Sequence, residues 1–348
     1  MESKQTGKRQ VTIKDIARES GISYSTVSRA LSQDPKVSGL VAAKTRKLVK
    51  RVAADLDYNP NLIAQGIVKG RTSTIGLLTY EISREPFGPQ ADHILRAAER
   101  QRYQVLIAMC VPGKHGNADV RQIKQLLSRR VDGLFIHTRG EEGEGARILS
   151  AVGGRVPVVT FHHPMPDLSG VVLDERAGFY EATEHLIRLG HQQVGFIGAR
   201  WDRDNTGSAK AKGYWQAMRK HRLTPHRISG QTFPAMPTSR LGRSLGDRFT
   251  ALVCRNDYTA LCACRALREA GFRIPEDVAV IGSGDIGAAA YLKPALTTIE
   301  IPHEELAEAA MELMMRQLRG EETRRETVLK SRLIVRESCG GSDHKPPP

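Results

Sequence analysis

From Ser73 onward the chain repeats one pattern, a short and nearly unbroken apolar run followed by a longer stretch of helical character. The runs read TIGLLT, YQVLIAM, DGLFIH, VPVVTF, QVGFIGA, TALVCR, DVAVIG and RLIVRE. Strands that are apolar on both faces are buried on both faces, as in parallel sheets covered by helices. There are too many runs for one ordinary small sheet. The pattern predicts an α/β body of two doubly wound lobes, with a ligand in the crevice beside the strands' carboxyl ends. A chain of 348 residues is long enough for this and for at least one further domain.

One run leads into VIGSGDIGAAA, residues 280–290, where Gly282, Gly284 and Gly287 complete the spacing G-x-G-x-x-G. The context argues against a dinucleotide site. A helix there could run only from about Ile286 to Lys293 before Pro294, whereas a crossover needs roughly a dozen residues. Asp285 would also lie where a pyrophosphate needs N–H groups and no anion. G-x-S-x-G, H-E-x-x-H and G-x-x-x-x-G-K-[ST] are all missing, so neither catalysis nor a cofactor is expected. His162-His163 reads as a loop pair. Cys262-x-Cys264 reads as core cysteines, and no metal site is expected. Five cysteines, an odd number without a small-scaffold pattern, suggest reduced thiols and a cytoplasmic setting. MESKQTGKRQ is polar and basic, unlike a secretory signal, and no apolar stretch approaches the roughly 18 residues of a membrane span.

Charge is unevenly distributed. Residues 1–71 carry 14 Lys and Arg against 6 Asp and Glu; the other 277 carry 38 against 32. Such a basic end on a near-neutral body suggests a nucleic-acid-binding arm. Within it, VTIKDIARESGISYSTVSRALS (11–32) places Ile13, Ile16 and Ala17 at helical spacing, then Gly21 as a stop and Ser23 as a cap. At about 100° per residue, Tyr24, Ser25, Ser28, Arg29 and Ser32 share one arc of a second helix. Val27, Ala30 and Leu31 share the other. Two short helices joined by a tight turn can set the second in a major groove, where Arg reads guanine and hydroxyls meet bases or phosphates. A third helix is expected over roughly Val41–Leu56, with Leu48, Val52 and Leu56 buried and Lys44, Arg46, Lys47, Lys50 and Arg51 mostly on the wet side. After Pro60, residues 61–68 allow about two helical turns, too few to be stable alone. Gly66 weakens them by about 1 kcal/mol relative to Ala.

VTIKDIARESGISYSTVSRALS, DYNPNLIAQGI and TSTIGLL together resemble the LacI/GalR (lactose-repressor) family of bacterial transcriptional regulators. RRVDGLFI, EHLIRLGHQQVGFIG, RNDYTALCACRAL, IPEDVAVIG, LTTIEIP and LIVRES extend the resemblance, in order, to about residue 338. It implies a helix-turn-helix head (1–60), a hinge helix and linker (61–71), and a periplasmic-binding-protein-like body (72–340) for effector binding and dimerisation. Lobe one would take about 72–173 and 298–328, lobe two about 174–297 and 329–340, and 341–348 would form a disordered tail. It further implies that Tyr24, Ser25 and Arg29 read bases, while Thr12, Ser23, Thr26, Ser28, Ser32 and Asn61 lie at or near the DNA backbone. Ala64 would approach the bases of a minor groove, with Ile67 as the wedge where the family usually has Leu. The implied partners are palindrome-like operator DNA, a second copy of the chain and a small effector. The implied role is that of a repressor in the cytoplasm, on the nucleoid.

Two departures stand out. KVSGLVAAKTRK is about four residues longer than the family's usual segment, as from a longer loop or a shifted backbone contact. In the cleft, the resemblance assigns effector contacts to Phe87, His162, Lys210, Phe233, Asn256, Gly284 and Asp285. His162 and Gly284 stand where Asp is common, and Lys210 where Arg is common. With two carboxylates missing, the expectation is an anionic or otherwise atypical ligand, such as a sugar phosphate, a sugar acid or a small carboxylate. The rival is a DNA-binding regulator with no small-molecule effector; a dinucleotide-dependent enzyme is the remaining alternative.

Overall fold

The computed structural model describes residues 11–32, 35–59, 70–80, 82, 86–110, 118–138, 140–198, 208–229, 238–321 and 326–341. The chain divides into two compact units, residues 1–72 and 73–348.

In the first unit, helices α1 (Ile13–Ser20), α2 (Tyr24–Ala30), α3 (Pro35–Ser38) and α4 (Ala43–Asp55) enclose a small core of Ile16, Val27, Ala30, Val41, Val49, Val52 and Ala53. Asp15 closes the start of α1 by accepting from the Thr12 amide at 2.9 Å and the Thr12 hydroxyl at 2.7 Å. Gly21 ends that helix at φ 66°, a left-handed conformation that glycine adopts without a side-chain penalty. Ser23 then caps α2, accepting from the Thr26 amide at 3.3 Å. The buried stripe of α4 is Val49, Val52 and Ala53, while the expected Leu48 and Leu56 only flank it. The extra residues 39–42 continue from the single turn of α3: Val41 enters the core and Leu40 is 74% exposed. The hinge positions Asn61, Ala64 and Ile67 lie outside the described residues.

The second unit contains two six-stranded sheets. The first runs, edge to edge, Glu326–Leu329, Ser169–Leu173, Val158–His162, Gly133–His137, Thr74–Thr79 and Gln104–Met109, all parallel. The second runs Arg332–Ile334, Thr297–Glu300, Ala279–Gly284, Ala251–Cys254, Val194–Gly198 and His226–Ser229. Its pairs are parallel except the first, where Arg332–Ile334 lies antiparallel on Thr297–Glu300. Central strands such as GLFIH and ALVC are buried at every residue, which accounts for their unbroken apolar runs. Helices cover both faces. On the first sheet, Phe87–Arg100 and His303–Leu318 pack on one side, Ala118–Ser128 and Glu144–Val152 on the other.

The lobe boundaries differ from expectation. The strand Thr297–Glu300 pairs throughout with the second sheet, so a cut at 297/298 would split it. The chain returns to the first sheet at Ile301–Pro302 and leaves it again after Leu329. Asp174 donates its amide to the Leu329 carbonyl at 2.8 Å, which brings two of the crossings side by side.

Candidate nucleic-acid face and ligand cleft

On the first unit, Thr12, Ser23, Tyr24, Ser25, Ser28 and Arg29 are exposed, Thr26 and Ser32 are partly so, and Val27 and Ala30 on the opposite side of α2 are buried. Tyr24 is 54% exposed, so its ring and hydroxyl are open to a partner. The Ser23 hydroxyl bonds to those of Ser25 at 3.2 Å and Thr26 at 2.9 Å, so part of the expected contact set also stiffens the helix start. Lys44, Lys47, Lys50 and Arg51 are exposed along α4. Arg46 differs: its guanidinium donates to the Ser38 carbonyl at 2.9 Å and ties the extra loop to α4.

In the second unit, the carboxyl ends of the first sheet's strands carry an aromatic and imidazole cluster. Phe87, at the start of its helix, has ring centroids 6.1 Å from Tyr80, 5.2 Å from His137 and 5.7 Å from His162. His137 and His162 are 5.2 Å apart. Two of the expected ligand residues, Phe87 and His162, are thus brought together, and His162 sits at φ 77° where its strand ends. Burial, reinforced by His303, lowers the pKa of His137 to about 3. Burial also depresses His162, reinforced by the charges of His137, His163, Lys210 and His303. Both imidazoles are therefore neutral at physiological pH.

The second sheet supplies a different set. Lys210 donates to the Arg255 carbonyl at 3.1 Å, beside Asn256, and pairs with Glu175 at 3.3 Å. Asn256 caps its helix (Asp257–Glu269): its Oδ1 accepts from the Thr259 amide at 2.9 Å and hydroxyl at 2.6 Å. Asp285 pairs with Arg336 at 2.7 Å, at an angle that does not make a hydrogen bond. Phe233 lies outside the described residues.

Gly284 has φ 133°, a backbone conformation that other residues rarely adopt. The reason lies in Asp257, which sequence reading passed over. Its fully buried carboxylate accepts from the Thr298 hydroxyl at 2.6 Å and from the Ile286 amide at 2.9 Å. It thereby folds the 282–286 loop around itself, and a Cβ on Gly282 would collide with it. The G-x-G-x-x-G spacing belongs to this loop; only a 3-10 turn, Ala289–Tyr291, follows it.

The charge count behind an anionic ligand changes accordingly. Among the described residues, Glu175 offsets Lys210, Asp285 faces Arg336, and the imidazoles of His137 and His162 are neutral. Among the described residues no group of three or more His, Cys, Asp or Glu is placed to hold a metal ion.

Residues 12–61 match the family described as bacterial regulatory proteins, lacI family, and residues 183–339 match a periplasmic binding protein-like domain. The HTH-type transcriptional regulator GalR of Salmonella typhimurium is 31% identical over 318 residues, covering 87% of this chain and 88% of that protein. The chain belongs to the lacI family of bacterial regulatory proteins. It is a DNA-binding transcriptional regulator and not an enzyme. This lacI-family regulator is also 29% identical to the HTH-type transcriptional repressor PurR of Photobacterium profundum, over 94% of this chain and 98% of that one. The crystal structure of the lac repressor dimer bound to operator and an anti-inducer superposes with a TM-score of 0.83, over 95% of this chain and 99% of that one. At 23% identity that likeness concerns the fold alone. The transcriptional regulator CelR in complex with cellobiose matches at 27% identity and a TM-score of 0.65, over 94% of this chain and all of that one.

Proposed function

We propose that this regulator is a homodimeric repressor acting in the cytoplasm, on the nucleoid, and controlled by a small polar effector. The observation that carries the reading is the two-sided helix α2, with Tyr24, Ser25, Ser28 and Arg29 outward and Val27 and Ala30 in the core. Tyr24, Ser25 and Arg29 read base edges. Thr12, Ser23, Thr26, Ser28 and Ser32, with Lys47, Lys50 and Arg51, set the register on phosphates. In this reading Asn61, Ala64 and Ile67 take the hinge contacts.

A two-fold dimer implies a palindrome-like operator. Support for the dimer comes from exposed apolar side chains on the second unit. Ile107 and Met109 lie exposed on the edge strand Gln104–Met109, and Leu95, Tyr258 and Tyr291 are exposed as well. Support for the effector comes from the cleft residues Phe87, His162, Lys210, Asn256, Gly284 and Asp285, with Phe233 as an expected stacking partner. Relatives have been crystallised with cellobiose and with ribose. Effector and DNA would favour different arrangements of the lobes, which is sufficient for allosteric control.

Selection of DNA from a random pool by the full-length protein tests the reading. The expected result is a palindrome-like consensus. Recovery of sequences without a shared motif would contradict it.

A further inference from the structure

The body's positive charge is concentrated in one crossover of the second sheet. Residues 199–250, which join the strands Val194–Gly198 and Ala251–Cys254, carry 11 Lys and Arg against 3 Asp and Glu. The other 225 residues of the body carry 27 against 29. The crossover thus holds an excess as large as that of the DNA-binding head, in fewer residues. The fold arranges it around a sheet edge, since the strand His226–Ser229 ends the second sheet. The helix Ala209–Lys220 packs on one face through Ala211, Tyr214 and Met218. The helix Thr238–Gly246 packs on the other through Leu241 and Leu245. With the apolar sides turned inward, Lys212, Arg219, Arg222, Arg240, Arg243 and Arg248 are exposed.

None of these six has an acidic partner among the described residues. Arg219 lies over the Trp215 ring at 5.0 Å and Arg248 over Phe249 at 5.3 Å, which steadies both without neutralising them. The acids of the helices packed alongside are mostly engaged elsewhere. Glu184 pairs with Lys220 and His221, Glu175 with Lys210 and Glu269 with Arg265, while Asp257 is buried in its loop. Glu181 and Asp247 are the exposed exceptions. Charges spread along two helices do not converge on a small anion. Among the described residues of the crossover no large apolar side chain is exposed, so the surface lacks the anchors of a protein interface or a membrane contact. A polyanion needs neither. Five of the six cations are arginines, whose planar forks suit phosphate oxygens. The longer helix has 12 residues and extends about 18 Å, the length of about five base pairs of duplex.

We propose that this edge of the second sheet holds a second stretch of duplex DNA, through its phosphates and without sequence preference, while the head holds the operator. The contact requires neither an effector nor base reading by α2. Phosphate contacts of this kind supply affinity and position, and they weaken steeply with salt.

The test captures full-length regulator on a short immobilised duplex carrying the selected operator, then adds a fluorescent duplex of unrelated sequence. Wild type should retain the second duplex, or bind the operator at least about tenfold more tightly when long flanks are attached. The first result assigns a separate duplex, the second the operator's own flanks. A variant combining Lys212→Gln, Arg222→Gln, Arg240→Gln and Arg243→Gln should lose at least about tenfold of either gain. Its slope of log affinity against log salt for that contact should flatten by about 3–4. Its melting temperature and its affinity for the short operator should stay at the wild-type values, because all four side chains are exposed. Arg222→Lys, Arg240→Lys and Arg243→Lys together keep the charge and should keep most of the gain. A wild type with no second contact, or a gain that the Gln variant retains, overturns the proposal. So does tighter capture of polyglutamate than of DNA, which assigns the edge to acidic polypeptides, or a parallel loss of short-operator binding in the Gln variant. None of these results bears on base reading by α2.

Discussion

Arg336 Nη1 lies 2.7 Å from Asp285 Oδ1 while donating to the Leu296 carbonyl at 2.8 Å. Arg336 is 7% exposed and belongs to the last segment of chain to join the second sheet. It therefore fixes the cleft loop from behind, and Asp285 is held as much by the fold as it is offered to a ligand. Removing one partner of such a pair leaves a poorly hydrated charge. Asp285→Ala should destabilise the protein by about 3 kcal/mol. Urea unfolding of Asp285→Ala, Arg336→Met and the double variant measures this. The double variant should lose clearly less than the sum of the two singles.

Gly284 and Gly282 are constrained for different reasons, so their substitutions should differ. At φ 133°, Gly284→Asp would restore the carboxylate common in the family, but at a backbone strain of about 1–3 kcal/mol. Gly282→Ala drives its Cβ into the Asp257 carboxylate and should cost more. Thermal melting should rank wild type above Gly284→Asp, and Gly284→Asp above Gly282→Ala. A Gly284→Asp protein as stable as wild type would show that the loop is not held as described.

Acid should destabilise the protein in two windows. His137 has a folded pKa of about 3 against 6.5 unfolded, so below 6.5 the unfolded chain takes up protons that the fold excludes. Stability is then full above pH 6.5 and falls by about 1.4 kcal/mol per pH unit for this group as pH drops toward 3. His162 adds a loss of the same sign. Glu184 acts lower. Burial raises its pKa, but hydrogen bonds from Tyr180, His221 and Lys220 outweigh this and hold it at about 2. Its contribution is present above the ordinary value of 4.5 and is lost as pH falls from there toward 2. Urea midpoints at pH 7.5, 6.5 and 5.5 should decline only below 6.5, and His137→Gln should flatten the slope.

How much of this was legible in the sequence depends on the range of the interaction. Eight of the twelve described strands are, because each shows as an apolar run in its own three to six residues. The face of α2 is too, since Val27 and Ala30 alternate with Ser25, Ser28 and Arg29 at helical spacing. The sheet to which Thr297–Glu300 belongs is not, because an apolar run does not identify its neighbour. Asp257 escapes notice for a related reason: its partners Ile286 and Thr298 lie 29 and 41 residues away. Read locally, G-x-G-x-x-G suggests a cofactor loop. In the fold it records the space taken up by a distant carboxylate.

Arg29 is the most direct test of the central claim that α2 reads DNA sequence. Fluorescence anisotropy of wild type and Arg29→Ala, on the selected operator and on a scrambled duplex at fixed salt, separates base reading from charge. Arg29→Ala should lose about 1–3 kcal/mol on the operator and relax preference at one base position per half-site, with the scrambled duplex little changed. Equal weakening on both duplexes would contradict it.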